Sequence, residues 1–206
     1  MRKIFGVAIL LATIFGTAAL ARPKGQTVDP LKIIFLDVGQ GDSILFILPN
    51  GNTLLIDGGP DTQTDWLLQN YISPYFCRVN MVLLTHPDAD HSSGLVRVAE
   101  HCYIDIIFQD FVPSDTFIYK KWLEISSKFK SVELYAGSPF SVSNVNFYVV
   151  WPPENLEAKD TNSHSLSLFV DYGEFEALFT GDLESGMQPQ LQKNLEELSS
   201  LIDRPF

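Results

Sequence analysis

The chain has 206 residues, 46% hydrophobic and 19% charged, with 14 Lys and Arg against 25 Asp and Glu for a formal charge of -11. That length accommodates one domain with a sizeable core, and the composition excludes a disordered or low-complexity chain. The acidic balance excludes a general polyanion-binding surface: a nucleic acid would need a local positive site, a metal ion or salt screening.

Residues 1–21 (MRKIFGVAILLATIFGTAALA) pair a basic start, Arg2 and Lys3, with an apolar run, Ile4 to Leu20, and a small-x-small ending, Ala19-Leu20-Ala21. That is the pattern of a secretory signal peptide. The alternative is an uncleaved membrane anchor, since the run sits at the short end of the ~17–25 residues that span a bilayer. No Cys follows it, so a lipoprotein is excluded. The expected location is secreted or periplasmic, with no stable membrane partner once the signal is removed. Residues 22–30 read as a loose polar lead-in, and 31–206 as one domain.

Lys32–Val38 (KIIFLDV) reads as a strand and Gly39-Gln40-Gly41 as a turn. Ser43–Leu48 and Thr53–Ile56 form a hairpin around Pro49-Asn50-Gly51-Asn52. These strands are nearly continuous apolar runs, which suggests a sheet covered on both faces. Asp65–Ile72 reads as a helix stopped by Pro74, Val79–Leu84 as a buried strand, Ser92–His101 as a short helix and Tyr103–Phe108 as a strand. Thr116–Phe129 is an amphipathic helix on which Phe117, Trp122 and Phe129 read as core side chains. The basic cluster Lys120, Lys121, Lys128 and Lys130, of which Lys120 and Lys128 share a helical face, reads as a solvated face or, alternatively, as a guide for a phosphate backbone. Val132–Leu134 is a short strand, Pro139–Val150 holds strands around Asn144, Leu166–Asp171 and Phe175–Thr180 flank a turn at Tyr172-Gly173-Glu174, and Leu191–Leu201 is a last helix. This order fits two packed sheets with helices outside, an αββα sandwich.

Cys77 and Cys102 each precede a strand-like run. If those runs are neighbouring parallel strands, both cysteines lie at one sheet edge and could be bridged; two separate buried thiols are the alternative. Neither has redox or zinc C-x-x-C spacing.

The most informative segment is Thr85-His86-Pro87-Asp88-Ala89-Asp90-His91. Four potential ligands fall in a stretch that follows an apolar strand, where α/β sheets place their sites. With Pro87 breaking any helix there, they are expected on a loop, two pointing at one ion and two at a second. A pair of ions about 3.5–4 Å apart clamps the attacking and leaving oxygens of a displacement. Asp182, in Thr180-Gly181-Asp182 at the end of another apolar strand, is placed to bridge them. Asp57, before Gly58-Gly59, reads as holding a ligand histidine from behind, as an Asx turn, or as both.

His86-Pro87-Asp88-Ala89-Asp90-His91 resembles the H-x-H-x-D-H signature of the metallo-β-lactamase fold, with Asp88 in the second His position. Phe35–Ser43 (FLDVGQGDS), Leu55–Gly59, Asn162–Leu166 (NSHSL) and Thr180–Asp182 narrow the likeness to the hydrolase domain at the C-terminus of the competence protein ComEC and its free-standing relatives. The resemblance covers roughly residues 31 to 190. It implies the four-layer αββα sandwich and a hydrolase with two divalent metal ions. His86 and Asp88 would serve one ion, Asp90 and His91 the other, and Asp182 would bridge. Asp90 would also orient the attacking water, and Asp57 would support the catalytic site. Phosphodiesters such as DNA, or a small phosphodiester, are the implied substrate class. Ester, thioester or lactam hydrolysis is the alternative on the same fold. The carboxylate-rich ligand set moves the metal preference towards manganese or magnesium without excluding zinc.

Two departures stand out. Ser92-Ser93 precede Gly94 where the family usually has a hydrophobic residue and then glycine. The chain also reaches Phe206 without the His-His-Gly-Ser motif that supplies a further ligand in relatives, which implies a C-terminally truncated domain or a lost ligand, and with it a catalytically impaired metal-binding protein as a third reading. His164 is then either a substitute ligand or a solvated loop histidine.

Overall fold

The computed structural model describes residues 29–158 and 160–202. The expected signal peptide 1–21 and most of the 22–30 lead-in lie outside them. Among the described residues, ten strands and four α-helices follow in chain order. They are β1 (Lys32–Phe35), β2 (Ile44–Ile47), β3 (Thr53–Ile56), α1 (Gln63–Leu68), β4 (Arg78–Leu84), α2 (Ala89–His101), β5 (Tyr103–Gln109), α3 (Phe117–Ser126), β6 (Ser131–Glu133), β7 (Pro139–Val142), β8 (Val145–Trp151), β9 (Ser167–Tyr172), β10 (Phe175–Phe179) and α4 (Gln188–Ile202). A 3-10 turn at Asn162–His164 precedes β9.

The first six strands form one sheet in sequence order, and β10-β9-β8-β7 form the second. β1, β2 and β3 pair antiparallel, and β3 through β6 run parallel. Parallel pairing needs crossovers, which carry α1, α2 and α3 in turn. Three apolar layers hold the sandwich together. Leu45, Leu55, Val79 and Val82 pack with Leu95, Val98 and Trp122 between the first sheet and its helices. Phe46, Leu54 and Leu83 meet Phe147, Leu168 and Val170 between the sheets. Trp151 and Phe169 meet Leu191 and Leu198 between the second sheet and α4. This is the four-layer αββα arrangement. The central strands have side chains in two of these layers, which is why they read as continuous apolar runs.

Several boundaries differ from the sequence expectation. β1 ends at Phe35 rather than Val38: the Leu36 N–H still reaches the Ser43 carbonyl at 2.9 Å, but the Val38 N–H turns back to the Leu36 carbonyl ahead of Gly39 and Gly41, both with positive φ. α2 begins at Ala89, so Asp90 and His91 stand in its first turn and not on a loop. Pro87 precedes the extended N-cap Asp88 and so leaves the helix free to start behind it. Phe117, expected in the core, is 83% exposed because it opens α3, while Trp122 is fully buried with its indole N–H on Gln109 Oε1 at 2.7 Å. Lys120 and Lys121 pair with Asp115 and Glu100.

β4 and β5 are parallel neighbours, and Cys77 and Cys102 at their entrances are joined by a disulfide. Among the described residues, no helix is long and apolar enough to cross a membrane.

Candidate metal centre

The site is assembled where β3, β4 and β10 end and α2 begins. β4 delivers Thr85 and His86, the first turn of α2 delivers Asp90 and His91, and Asp182 follows β10. Two close backbone approaches hold these elements together. A Cβ on Gly41 would fall on the Asp90 carbonyl oxygen, so only glycine lets the turn after β1 lie against the start of α2. Likewise Gly94 faces the Gly58 carbonyl with no room for a side chain. Glycine thus fixes α2 against the loop that carries Asp57, although Ser92 and Ser93 precede it. Both serines are absorbed locally, their hydroxyls donating to the carbonyls of Asp88 and Ala89.

Side-chain donor atoms of His86, His91 and Asp182 all lie within 4.8 Å of one another. The two imidazoles are 4.2 Å apart between centroids, and both are buried. Asp57 organises them from behind. Its Oδ1 accepts the Thr85 N–H at 2.8 Å, and its Oδ2 accepts the Thr85 hydroxyl at 2.6 Å. The same Oδ2 lies 2.9 Å from His91 Nδ1. Having given its proton to Asp57, the Thr85 hydroxyl can accept from His86 Nδ1 at 2.9 Å, and the Ser165 hydroxyl is a second neighbour of that nitrogen at 3.3 Å. One carboxylate therefore holds both Nδ1 atoms as donors, directly for His91 and through Thr85 for His86. That tautomer leaves each Nε2 with a free lone pair.

Both Nε2 atoms are buried and make no hydrogen bond. Their nearest anionic neighbours are carboxylate oxygens, Asp182 at 3.4 Å from His91 Nε2 and Asp88 at 3.8 Å from His86 Nε2. An unsatisfied buried polar atom costs about 1–3 kcal/mol, and two at one point with carboxylates alongside are the signature of a cation site. The residues present fit a divalent ion held by His86, His91 and Asp182.

The electrostatics agree. Burial pushes the His86 imidazole below its usual value. Burial also opposes charge on His91, but the Asp57 hydrogen bond and charge, then Asp182 and Asp90, outweigh it and push His91 up to about 9. The carboxylates thus attract positive charge to this point, either as a second proton on His91 or as a cation that displaces that proton and takes the Nε2 lone pair. Burial, with repulsion from Asp57 and Asp182, pushes Asp42 above the usual carboxylate range. For Asp90, burial raises and the Gln40 amide bond at 3.0 Å lowers; the bond and the neighbouring histidines prevail, holding it below its usual value.

The remaining expected ligands lie outside the three-residue group. Asp88 accepts from the Thr161 hydroxyl at 2.6 Å, and Asp90 is held by Gln40 at the rim. His164 is turned away: its Nδ1 lies 3.1 Å from Asp110 and its Nε2 3.4 Å from the Ala158 carbonyl oxygen. Gln40, Asp42, Thr85, Thr161 and Ser165 had no role in the sequence reading. All but Thr161, which directly precedes Asn162–Leu166, lie inside recognised motifs, but only the fold shows what they touch.

Residues 52–203 match the family model for the β-lactamase superfamily domain. The chain is 30% identical to Recombination protein 2 of Haemophilus influenzae over 206 residues, covering 98% of this chain and 24% of that protein. It is 25% identical to ComE operon protein 3 of Bacillus subtilis over 174 residues, covering 74% of this chain and 22% of that protein. It therefore spans about a quarter of the length of these relatives. Among solved structures, the Cronobacter sakazakii metallo-β-lactamase with a HARLDQ motif superposes with a TM-score of 0.53 at 12% identity, covering 82% of this chain and 66% of that one. CmlA, a diiron β-hydroxylase from Streptomyces venezuelae, gives 0.50 at 15% identity, covering 80% and 33%. The chain belongs to the β-lactamase superfamily, with a fold and motifs resembling ComEC.

Proposed function

We propose that this superfamily member is an exported, metal-dependent hydrolase that cleaves phosphodiesters, in DNA or in a small phosphodiester. The observation that carries the reading is the pair of buried, unbonded Nε2 atoms of His86 and His91 facing Asp182. The names of the relatives, a recombination protein and a ComE operon protein, support the DNA class. The disulfide supports export, since such bonds persist in oxidising compartments.

A divalent ion held by His86, His91 and Asp182 would supply Lewis acidity towards a phosphoryl oxygen and would lower the pKa of water towards neutrality. His86 and His91 present lone pairs whose direction Asp57 and Thr85 fix. Asp182 balances charge from the second sheet. Asp90, kept ionised by Gln40, accepts a hydrogen bond from the attacking water and orients it. Asp88, anchored by Thr161, and Asp90 are the carboxylates available to a second ion, with manganese, magnesium and zinc all compatible with this donor set.

Esters, thioesters or lactams are the second reading. It is favoured by a cavity of about 210 Å³ that joins Asp57, Thr85 and Gly181 to an apolar wall including Ile44, Ile56, Leu83 and Phe179. The test is hydrolysis of single-stranded DNA, a bis-aryl phosphate, an aryl ester and a lactam, each with added manganese, magnesium or zinc. The reading predicts metal-stimulated cleavage of the first two, lost in Asp90→Ala. Cleavage of the ester or lactam alone selects the second reading, and bound metal with every substrate intact leaves a metal-binding protein without this activity.

A further inference from the structure

At the end of the first sheet opposite the metal centre, five aromatic rings stand in solvent. Tyr75 is 89% exposed, Phe76 85% and Trp66 66%, and Tyr71 and Tyr103 are also exposed. They form one corner. Tyr75 and Phe76 directly precede Cys77, whose carbonyl accepts the Tyr103 N–H at 2.9 Å and whose sulfur is bonded to Cys102. Trp66 follows Asp65, which lies 2.8 Å from His101 at the end of α2. The disulfide therefore holds the rings on a fixed base, so little conformational freedom is lost when they are covered.

We propose that this corner docks on the headgroup region of a lipid bilayer. Trp, Tyr and Phe together suit that region, because their rings combine apolar area with polar edges. The charges of the corner are already paired: Asp105 with Arg78 at 2.6 Å, which also stacks on the Tyr103 ring, and Asp65 with His101. Such a surface, with its Arg78 and His101 charges balanced, matches a zwitterionic interface.

The path of the chain points the same way. β1 runs in the same direction as β3, β4 and β5, so the chain enters at Lys32 on the side where Arg78 and Tyr103 begin their strands. In the sequence, the apolar run Ile4–Leu20 lies upstream of Asp29, separated from it by residues 21–28. Those residues span at most about 29 Å when extended. Where that run is retained as an anchor, the same end carries the rings and receives the chain from its most apolar segment. The seven residues of β4 place the metal centre roughly 23 Å further on, facing away from the lipid.

Trp66 makes this testable without labels. The chain has three tryptophans, and Trp122 and Trp151 are fully buried. The full chain is mixed with phosphatidylcholine vesicles, plain or brominated in the acyl chains, and tryptophan emission is read with and without acrylamide. Docking predicts that plain vesicles shield Trp66 from acrylamide and that brominated lipid extinguishes its emission. Trp66→Phe removes that component and so identifies it. Tyr75→Ser with Phe76→Ser returns Trp66 to acrylamide even where the chain still sediments with vesicles. The proposal is overturned if Trp66 in vesicle-bound chain remains open to acrylamide and blind to bromine, or if the chain ignores vesicles. Concentration-dependent shielding without lipid overturns it in favour of a second copy.

Discussion

Replacing Asp57 by Asn removes one negative charge and almost nothing else. Asp57 has φ of +55°, a left-handed conformation that Asn also tolerates, so the backbone is not disturbed. The carboxylate accepts from three donors: the Thr85 N–H, the Thr85 hydroxyl and His91 Nδ1. Whichever way the amide turns, its NH2 faces at least one of them. If it takes the Oδ2 position, His91 must present Nδ1 as an acceptor and moves its proton to Nε2, where an ion needs the lone pair. If it takes the Oδ1 position, it opposes the Thr85 backbone. Loss of such an outer partner weakens metal binding by roughly 10- to 100-fold, equal to about 1.4–2.7 kcal/mol. Competition against a chromophoric chelator at fixed pH, with circular dichroism to confirm folding, measures the change. A folded Asp57→Asn protein that binds metal with wild-type affinity would refute the reasoning that Asp57 sets both tautomers.

Other substitutions separate residues that sequence alone could not. Asp182→Asn should weaken metal binding by more than the roughly 10- to 100-fold of an outer partner, whereas His164→Ala should leave affinity unchanged, since its ring faces Asp110 and the Ala158 carbonyl; chelator competition reads both. Gly41→Ala adds a methyl at the Asp90 carbonyl and strains a φ of +76°. The strain costs about 1–2 kcal/mol, and displacement of Asp90 should slow metal-dependent hydrolysis by up to about 100-fold. Replacing Cys77 and Cys102 by Ser opens a link across a sequence separation of 25, costing about 3 kcal/mol or roughly 6–12 °C of melting temperature. Metal affinity should survive this change, because the disulfide lies at the far end of the sheet; calorimetry and chelator competition test the two halves.

The layers were legible because the core strands carry their burial in their own residues: ILFI in β2, LLI in β3 and MVLL in β4 are apolar without interruption. Within His86, Asp88, Asp90 and His91 the crowding of ligand-type residues at a strand end was visible in the sequence, whereas which of them come together with Asp182, namely His86 and His91, was not. What stayed hidden was pairing across distance in the chain. Thr161 meets Asp88 across 73 residues, His164 meets Asp110 across 54, and Gln40 meets Asp90 across 50. No local pattern encodes those contacts, so His164 remained a candidate ligand and Gln40 went without a role. The start of α2 was misplaced because a proline ahead of an N-cap looks like a break when only its own position is weighed. The aromatic corner has no period at all; its rings come together only when the disulfide joins the entrances of β4 and β5.

The central claim is that His86 and His91 aim two bare nitrogens at one cation. Equilibrium dialysis against zinc and, separately, manganese, followed by elemental analysis, tests it directly. The account predicts bound metal in the wild-type chain and none above background in folded His86→Ala, His91→Ala protein. Equal metal content in the two would contradict it.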